Sequence, residues 1–175
     1  MLFRSKFITT FAMGSRKFYD WLDDNVAVEF QRGRWVNDPS VVAQNSRMVS
    51  INTCISVDLT GQVASESIGP AQYSGTGGQS DTATGAVAGF DGLGKSIIAC
   101  YSTAKKGTVS TIVPMLPEGS AVTLHRSLVD HVVTEHGIAR LRGRTVRERA
   151  RELIGVANPA FREELLAQAK ALGYL

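Results

Sequence analysis

Long apolar runs are missing from this 175-residue chain, and no stretch approaches the roughly 20 residues that a membrane-spanning helix requires. Residues 1–7 hold two basic side chains but no extended apolar segment and no small-residue cleavage site, so they do not read as a secretory signal. Cysteine is scarce. Cys54 and Cys100 cannot make a metal site as a pair, and their spacing matches no zinc motif, so reduced core thiols and a cytoplasmic location are expected. Neither sign of charge dominates: 19 Lys and Arg against 16 Asp and Glu leave +3, scattered along the chain. With no nucleic-acid module in view, nucleic acid is a poor partner; a mildly basic surface leaves room for an anionic, phosphorylated ligand. Membrane partners are not expected either.

What is present suits one globular domain. A 43% hydrophobic and 20% charged composition is enough for a core and argues against wholesale disorder. Phe7 to Gly14 reads as a strand entering a turn, and an apolar strand so near the start suggests truncation at the N-terminal edge. Ser15 is placed to cap a helix over Arg16–Asp24, which Asn25 would close, and Val26–Phe30 reads as a strand. Asn37-Asp38-Pro39 is a turn into a short helical segment. From Val49 to Leu59, apolar residues alternate with polar ones, predicting a single half-buried strand, with a reversal at Thr60-Gly61 into a partner over Gln62–Glu66.

Seven glycines lie between Gly69 and Gly92, and another at Gly94. Residues 74–81 form a loop, with Asp81 a candidate cap for a helix over Thr82–Ala88. Strands are predicted at Ser96–Tyr101, Thr108–Met115, Ala121–Leu124 and Asp130–Val133, with a weaker one at Ile138–Leu141. Thr145 and Glu148 form a capping box ahead of an apolar stripe of Val146, Ala150, Leu153 and Ile154. Asn158-Pro159 opens a last helix, striped by Phe161, Leu165, Leu166, Ala169 and Leu172 and stopped by Gly173. The fold class is therefore α/β, a mixed open sheet with flanking helices.

Candidate chemistry centres on Ser74-Gly75-Thr76-Gly77-Gly78-Gln79-Ser80-Asp81. Glycines let backbone N–H groups approach an anion or a polarised carbonyl oxygen. The spacing is neither that of a Walker A loop nor of a dinucleotide fingerprint, so an ordinary flexible turn stands beside the functional reading. Lys95, Lys105 and Lys106 could meet phosphates or be solvated loop lysines. His125, His131 and His136 lack metal-pair spacing. Glu66 and Glu135 lie in apolar sequence, where a raised pKa could serve catalysis, or they are structural carboxylates.

Nine blocks carry a resemblance to a known family: Ala12–Arg16, Val36–Pro39, Ala43–Asn45, Met48–Asn52, Asp58–Val63, Ser74–Gln79, Gly94–Ala99, Val132–Glu135 and Phe161–Leu165. In this order they resemble the acetyl-CoA hydrolase/transferase family, nearest to its 4-hydroxybutyrate and butyryl-CoA:acetate CoA-transferases. The resemblance implies a CoA-transferase (NagB/RpiA-like) fold, of which residues 1–175 are a single C-terminal half. It implies CoA transfer between an acyl-CoA and a small carboxylic acid of the acetate, butyrate or 4-hydroxybutyrate type, through a glutamyl-CoA intermediate. Coenzyme A is then a substrate, with no covalently bound cofactor and no metal.

The nucleophilic glutamate of the family lies upstream of the block matching Ala12-Met13-Gly14, hence before Met1, so the isolated chain is expected to be inactive. Gly75, Gly77, Gly78, Gln79, Lys95 and Lys105 are the implied CoA-binding and oxyanion residues. The missing N-terminal half and further copies of the chain, as a homo-oligomer, are the implied partners. A non-catalytic CoA-binding or subunit-interaction module, or an acetyl-CoA hydrolase fragment, are the alternatives. The sequence departs from the family pattern at Thr82, Thr111, His136, Asn158-Pro159-Ala160 and Phe90–Leu93, which bears on CoA affinity and substrate choice.

Overall fold

The computed structural model describes residues 6–175. In chain order it contains β1 (Phe7–Thr9), α1 (Arg16–Leu22), β2 (Val28–Phe30), α2 (Gly33–Val36), α3 (Pro39–Val42), β3 (Val49–Asn52), β4 (Ser56–Asp58), β5 (Val63–Ala64), β6 (Ser67–Ile68), β7 (Ala71–Gln72) and α4 (Gln79–Val87). The remainder is β8 (Lys95–Ala99), β9 (Thr103–Ala104), β10 (Val109–Ser110), β11 (Ile112–Val113), β12 (His131–Thr134), β13 (Gly137–Arg140), α5 (Val146–Val156) and α6 (Pro159–Ala171). The expected mixed α/β character is present, but the strands are divided among several small sheets.

The largest sheet has the order β13-β12-β8-β3, with β3, β8 and β12 parallel and β13 antiparallel at the edge. Asn52, Ile98, Val132 and Ala139 form one row across it by register. That face is covered: α4 packs on β3 and β8, α5 on β12 and β13, and α6 on α5. Ile98, Val132, Ala139, Ala150, Leu153 and Leu165 join one continuous core there. The opposite face leaves Val49, Ile51 and Ile138 exposed.

The predicted strand from Val49 to Leu59 is two strands in two sheets. β3 ends at Asn52, and β4 pairs instead with β11 and β5. The chain switches partners where the Ile55 N–H donates to the Ala64 carbonyl at 2.9 Å. Burial is inverted in the first half: Ser50 is buried and Asn52 half-buried while Val49 and Ile51 face outward. The reason is a polar contact inside, where the Ser50 hydroxyl donates to Thr82 Oγ1 at 3.0 Å. Thr108–Met115 is likewise split, into β10 of a hairpin with β9 and β11 beside β4. Ala121–Leu124 contributes only a bridge from Leu124 to Val63.

The two C-terminal helices form as their caps dictate. Thr145 accepts from the Glu148 N–H and Glu148 reaches back to the Thr145 N–H, closing the capping box of α5. Asn158 accepts from the Ala160 N–H ahead of Pro159 in α6. The first part of the chain is built differently. β1 and β2 pair only with each other, in parallel, and no residue from 6 to 41 is buried. Phe18 and Trp21 of α1 stack, and Phe7 meets Trp21 edge-on, on a surface open to solvent. Among the described residues, no helix is long and apolar enough to cross a membrane.

Candidate functional site

The direction of α4 locates the glycine loop. Thr82, in its first half, meets Ser50 and Asn52 inside β3. Ala86, near its end, lies against Gly94 and Met48, which precede β8 and β3. The helix therefore runs antiparallel to the strands, and its N-terminus, with residues 74–78 before it, stands at their carboxyl edge. Open α/β sheets bind ligands at that edge.

The loop itself is exposed from Ser74 to Gly77, with Gly78 half-buried. Gly77 sits at φ +58, in the left-handed region, and open space surrounds the places where Gly75 and Gly77 would carry a Cβ. None of the N–H groups of Gly75, Thr76, Gly77 and Gly78 donates to another group of the described protein. Gly78, not Asp81, occupies the cap position of α4; Asp81 lies in its first turn. The need for glycine at Gly78 is steric. A Cβ on Gly78 would lie 2.5 Å from Nδ2 of Asn37, so the turn at Asn37-Asp38-Pro39 braces the loop from below. Asp38 holds that turn by accepting from the Ser40 hydroxyl at 2.6 Å and the Ser40 N–H at 2.8 Å, bonds that lower its pKa.

Two buried polar atoms adjoin the loop without a hydrogen-bond partner, Glu66 Oε2 and Gln79 Nε2. Glu66 also anchors the loop, since its carbonyl accepts from Tyr73 N at 2.7 Å and Ser74 N at 3.2 Å. Buried donors and acceptors left unmade are costly, so these two atoms are the strongest local indication of a ligand's polar group. Sequence reading offered Glu66 only as one of two carboxylates; its place beside the loop comes from the fold.

The other candidates are spread more widely. Gly75, Gly77 and Gly78 belong to this one loop, and Gln79 opens α4 directly after it. Lys105 sits at the tip of the β9–β10 hairpin, which leaves the carboxyl end of β8; it and Lys106 have positive φ. Lys95 opens β8 at the amino edge of the sheet, away from the loop. There it lines a groove of about 350 Å³ with Asp130, His131, Arg140, Arg142 and Arg144. In that groove Asp130 is committed to structure, accepting from Ser96 N at 2.8 Å and pairing with Arg142 at 3.3 Å. The structure thus gathers the glycines and Gln79 and sets Lys95 apart.

Glu135 does not have the raised pKa that apolar sequence suggested. Ser102 donates to its carboxylate through both hydroxyl and backbone N–H, and these bonds draw its pKa below the usual glutamate value. His136 lies 3.5 Å away. Glu135 lines a cleft of about 400 Å³ at the carboxyl edge with Thr53, Ala99, Cys100, Tyr101, Val133 and Thr134. A depressed folded-state pKa contributes stability above the unfolded value of 4.5, lost as pH falls through the folded one. Thermal melts should therefore show Glu135→Gln below wild type at pH 7, with the gap closing as pH falls through the lowered carboxylate pKa. A gap that stays constant with pH would show that the ionised carboxylate is not what Ser102 holds.

Among the described residues, no three His, Cys, Asp or Glu side chains gather as a metal site would require. Asp58-Leu59-Thr60-Gly61-Gln62 is a structural turn: Asp58 Oδ1 accepts from Thr60 N at 2.9 Å, Thr60 Oγ1 at 2.7 Å and Gln62 N at 3.0 Å.

Residues 14–169 match the family described as acetyl-CoA hydrolase/transferase C-terminal domain. The chain is 52% identical over 165 residues to a 4-hydroxybutyrate coenzyme A transferase of Clostridium kluyveri, covering 94% of this chain and 38% of that protein. It is 46% identical over 169 residues to a probable butyrate:acetyl-CoA coenzyme A-transferase of Syntrophomonas wolfei, covering 95% of this chain and 37% of that one. Among solved structures, RipA from Yersinia pestis superposes with a TM-score of 0.90 at 42% identity, over 99% of this chain and 39% of RipA. The chain thus spans well under half the length of these relatives.

Proposed function

Because this chain belongs to the acetyl-CoA hydrolase/transferase family through its C-terminal domain, we propose that it supplies the glycine-loop half of a CoA-transferase, built on the NagB/RpiA-like fold. Its substrates are an acyl-CoA and a small carboxylate of the acetate, butyrate or 4-hydroxybutyrate type, and its compartment is the cytoplasm. The observation that carries this reading is the array of unengaged N–H groups at Gly75–Gly78, at the carboxyl edge of the parallel strands.

In this scheme a glutamate carboxylate, contributed from outside this chain, attacks the thioester carbonyl. Negative charge moves onto the thioester oxygen, where the loop N–H groups receive it. Collapse expels CoA thiolate and leaves an acyl-glutamyl anhydride. The thiolate then attacks the glutamyl carbonyl, releasing the first carboxylate and leaving glutamyl-CoA. An incoming carboxylate reverses both steps and departs as the new acyl-CoA. Glu66 and Gln79 orient the substrate through the polar atoms that lack protein partners. Glu135, held by Ser102, takes no part as nucleophile.

The test is complementation. This chain alone should show no exchange between acyl-CoA and labelled acetate. Mixed with or fused to a polypeptide carrying the rest of a relative's length, it should exchange, with borohydride trapping a glutamyl-CoA thioester on the added segment by reducing it to the alcohol with release of CoA. Turnover or a trapped adduct on this chain alone would refute the division of labour. A stable complex that only hydrolyses acyl-CoA would replace the transferase reading with the hydrolase one.

A further inference from the structure

Two cysteines distant in sequence meet at the carboxyl edge of the main sheet. β3 and β8 run parallel, with Val49 opposite Lys95 and Asn52 opposite Ile98. Cys54 and Cys100 each lie two residues beyond that last pair. Cys100 keeps sheet geometry there, its N–H donating to the Val133 carbonyl at 3.0 Å. Both cysteines are free, and their thiols are hydrogen-bonded to each other.

The two thiols have unlike surroundings. Cys54 packs against the core, and the bond to Cys100 together with burial raises its pKa well above the usual thiol value. Cys100 lines the cleft beside Tyr101 and Glu135. The hydrogen bond from Cys54 lowers its pKa, with further help from Thr111, while burial and the Glu135 charge work against this. A cleft-lining thiol of lowered pKa beside a core-packed thiol of raised pKa matches the division of roles in disulfide exchange.

We propose that Cys54 and Cys100 form a reversible dithiol–disulfide site in this cleft, oxidised by low-molecular-weight disulfides. Cys100 thiolate attacks one sulfur of the small disulfide, forming a mixed disulfide and expelling one small thiolate. Cys54 then loses its proton to solvent and attacks the Cys100 sulfur, closing the internal bond and expelling the second small thiolate. The two protein thiols are oxidised by two electrons, and the small disulfide is reduced to two thiols. Excess small thiol runs the sequence backwards. No acyl-CoA is involved, so this site stands or falls independently of the transfer reaction.

Intact-mass analysis tests it. The folded chain is incubated with oxidised glutathione and quenched with an alkylating reagent. Wild type should lose two hydrogens, take up no label and recover both labels after dithiothreitol. Cys54→Ser should stop at a single glutathionyl adduct on Cys100, and Cys100→Ser should react at least about tenfold more slowly. A wild type that ends with a stable glutathionyl adduct, or with both thiols still alkylated, overturns the proposal, as does equal reactivity of the two variants. The wild-type masses decide the internal bond even if a serine variant folds poorly.

Discussion

Gly94→Ala should yield a chain that fails to reach the native fold. A Cβ at this position would lie 1.9 Å from the Ala86 carbonyl oxygen and 2.9 Å from its carbon, with the Met48 carbonyl oxygen at 3.2 Å. All three are backbone atoms, so no side chain can swing aside. Met48 O is also the acceptor for Lys95 N at 2.8 Å, so displacing it breaks the entry of β8 into the sheet. Over-packing of side chains costs about 1–3 kcal/mol, and a backbone collision should exceed that. A domain with a net stability of about 5–15 kcal/mol has little margin for it. Soluble yield and urea unfolding read the outcome. Gly155→Ala is the matched control: it lies inside α5 with nothing within 4 Å of its Cβ, and should stabilise by about 0.5–1 kcal/mol. A Gly94→Ala midpoint within error of wild type would mean that α4 does not approach β8 as described.

The second large effect is on rate. In the complemented enzyme, Gly77→Val should lower kcat by about a hundredfold or more while leaving the melting temperature almost unchanged. Gly77 has φ +58 and no neighbour within 4 Å of its Cβ, so valine meets no clash. What it loses is the left-handed conformation, disfavoured for an L-residue by about 1–2 kcal/mol. The loop would relax and its N–H groups would no longer converge. An oxyanion donor displaced in this way forfeits most of its effect, because the array contributes only while fixed in advance. The exposed loop adds little to the core, which is why stability should not follow. Activity within about threefold of wild type would mean that the developing charge is held elsewhere.

Sequence patterns succeeded where the deciding interactions are local. The capping box of Thr145 and Glu148, the Asn158-Pro159 start and the Asp38 turn each lie within a few residues, and each forms as its pattern predicts. The family resemblance, too, was readable in ordered blocks. Alternation from Val49 to Leu59 was true but ambiguous. It records which residues share a side, not which sheet receives them, and here the apolar side is exposed at Ile51 and buried at Val57. The bracing of Gly78 by Asn37 leaves no local trace, because it joins segments separated by α3, β3 and two small sheets. Lys95 was grouped with the glycine loop because both belong to recognised blocks. The antiparallel run of α4 places them at opposite edges.

Among the described residues, the absence of any buried side chain from Lys6 to Val41 divides the chain energetically. Opening β1, α1 and β2 exposes little that water does not already reach, so that opening is shallow and need not await collapse of the core. Backbone amides there should exchange with solvent through local excursions, while those of β8, β12 and α5 should exchange only when the whole core opens. The first segment thus reports the fit of whatever lies against it, and the sheet core reports the stability of the chain itself.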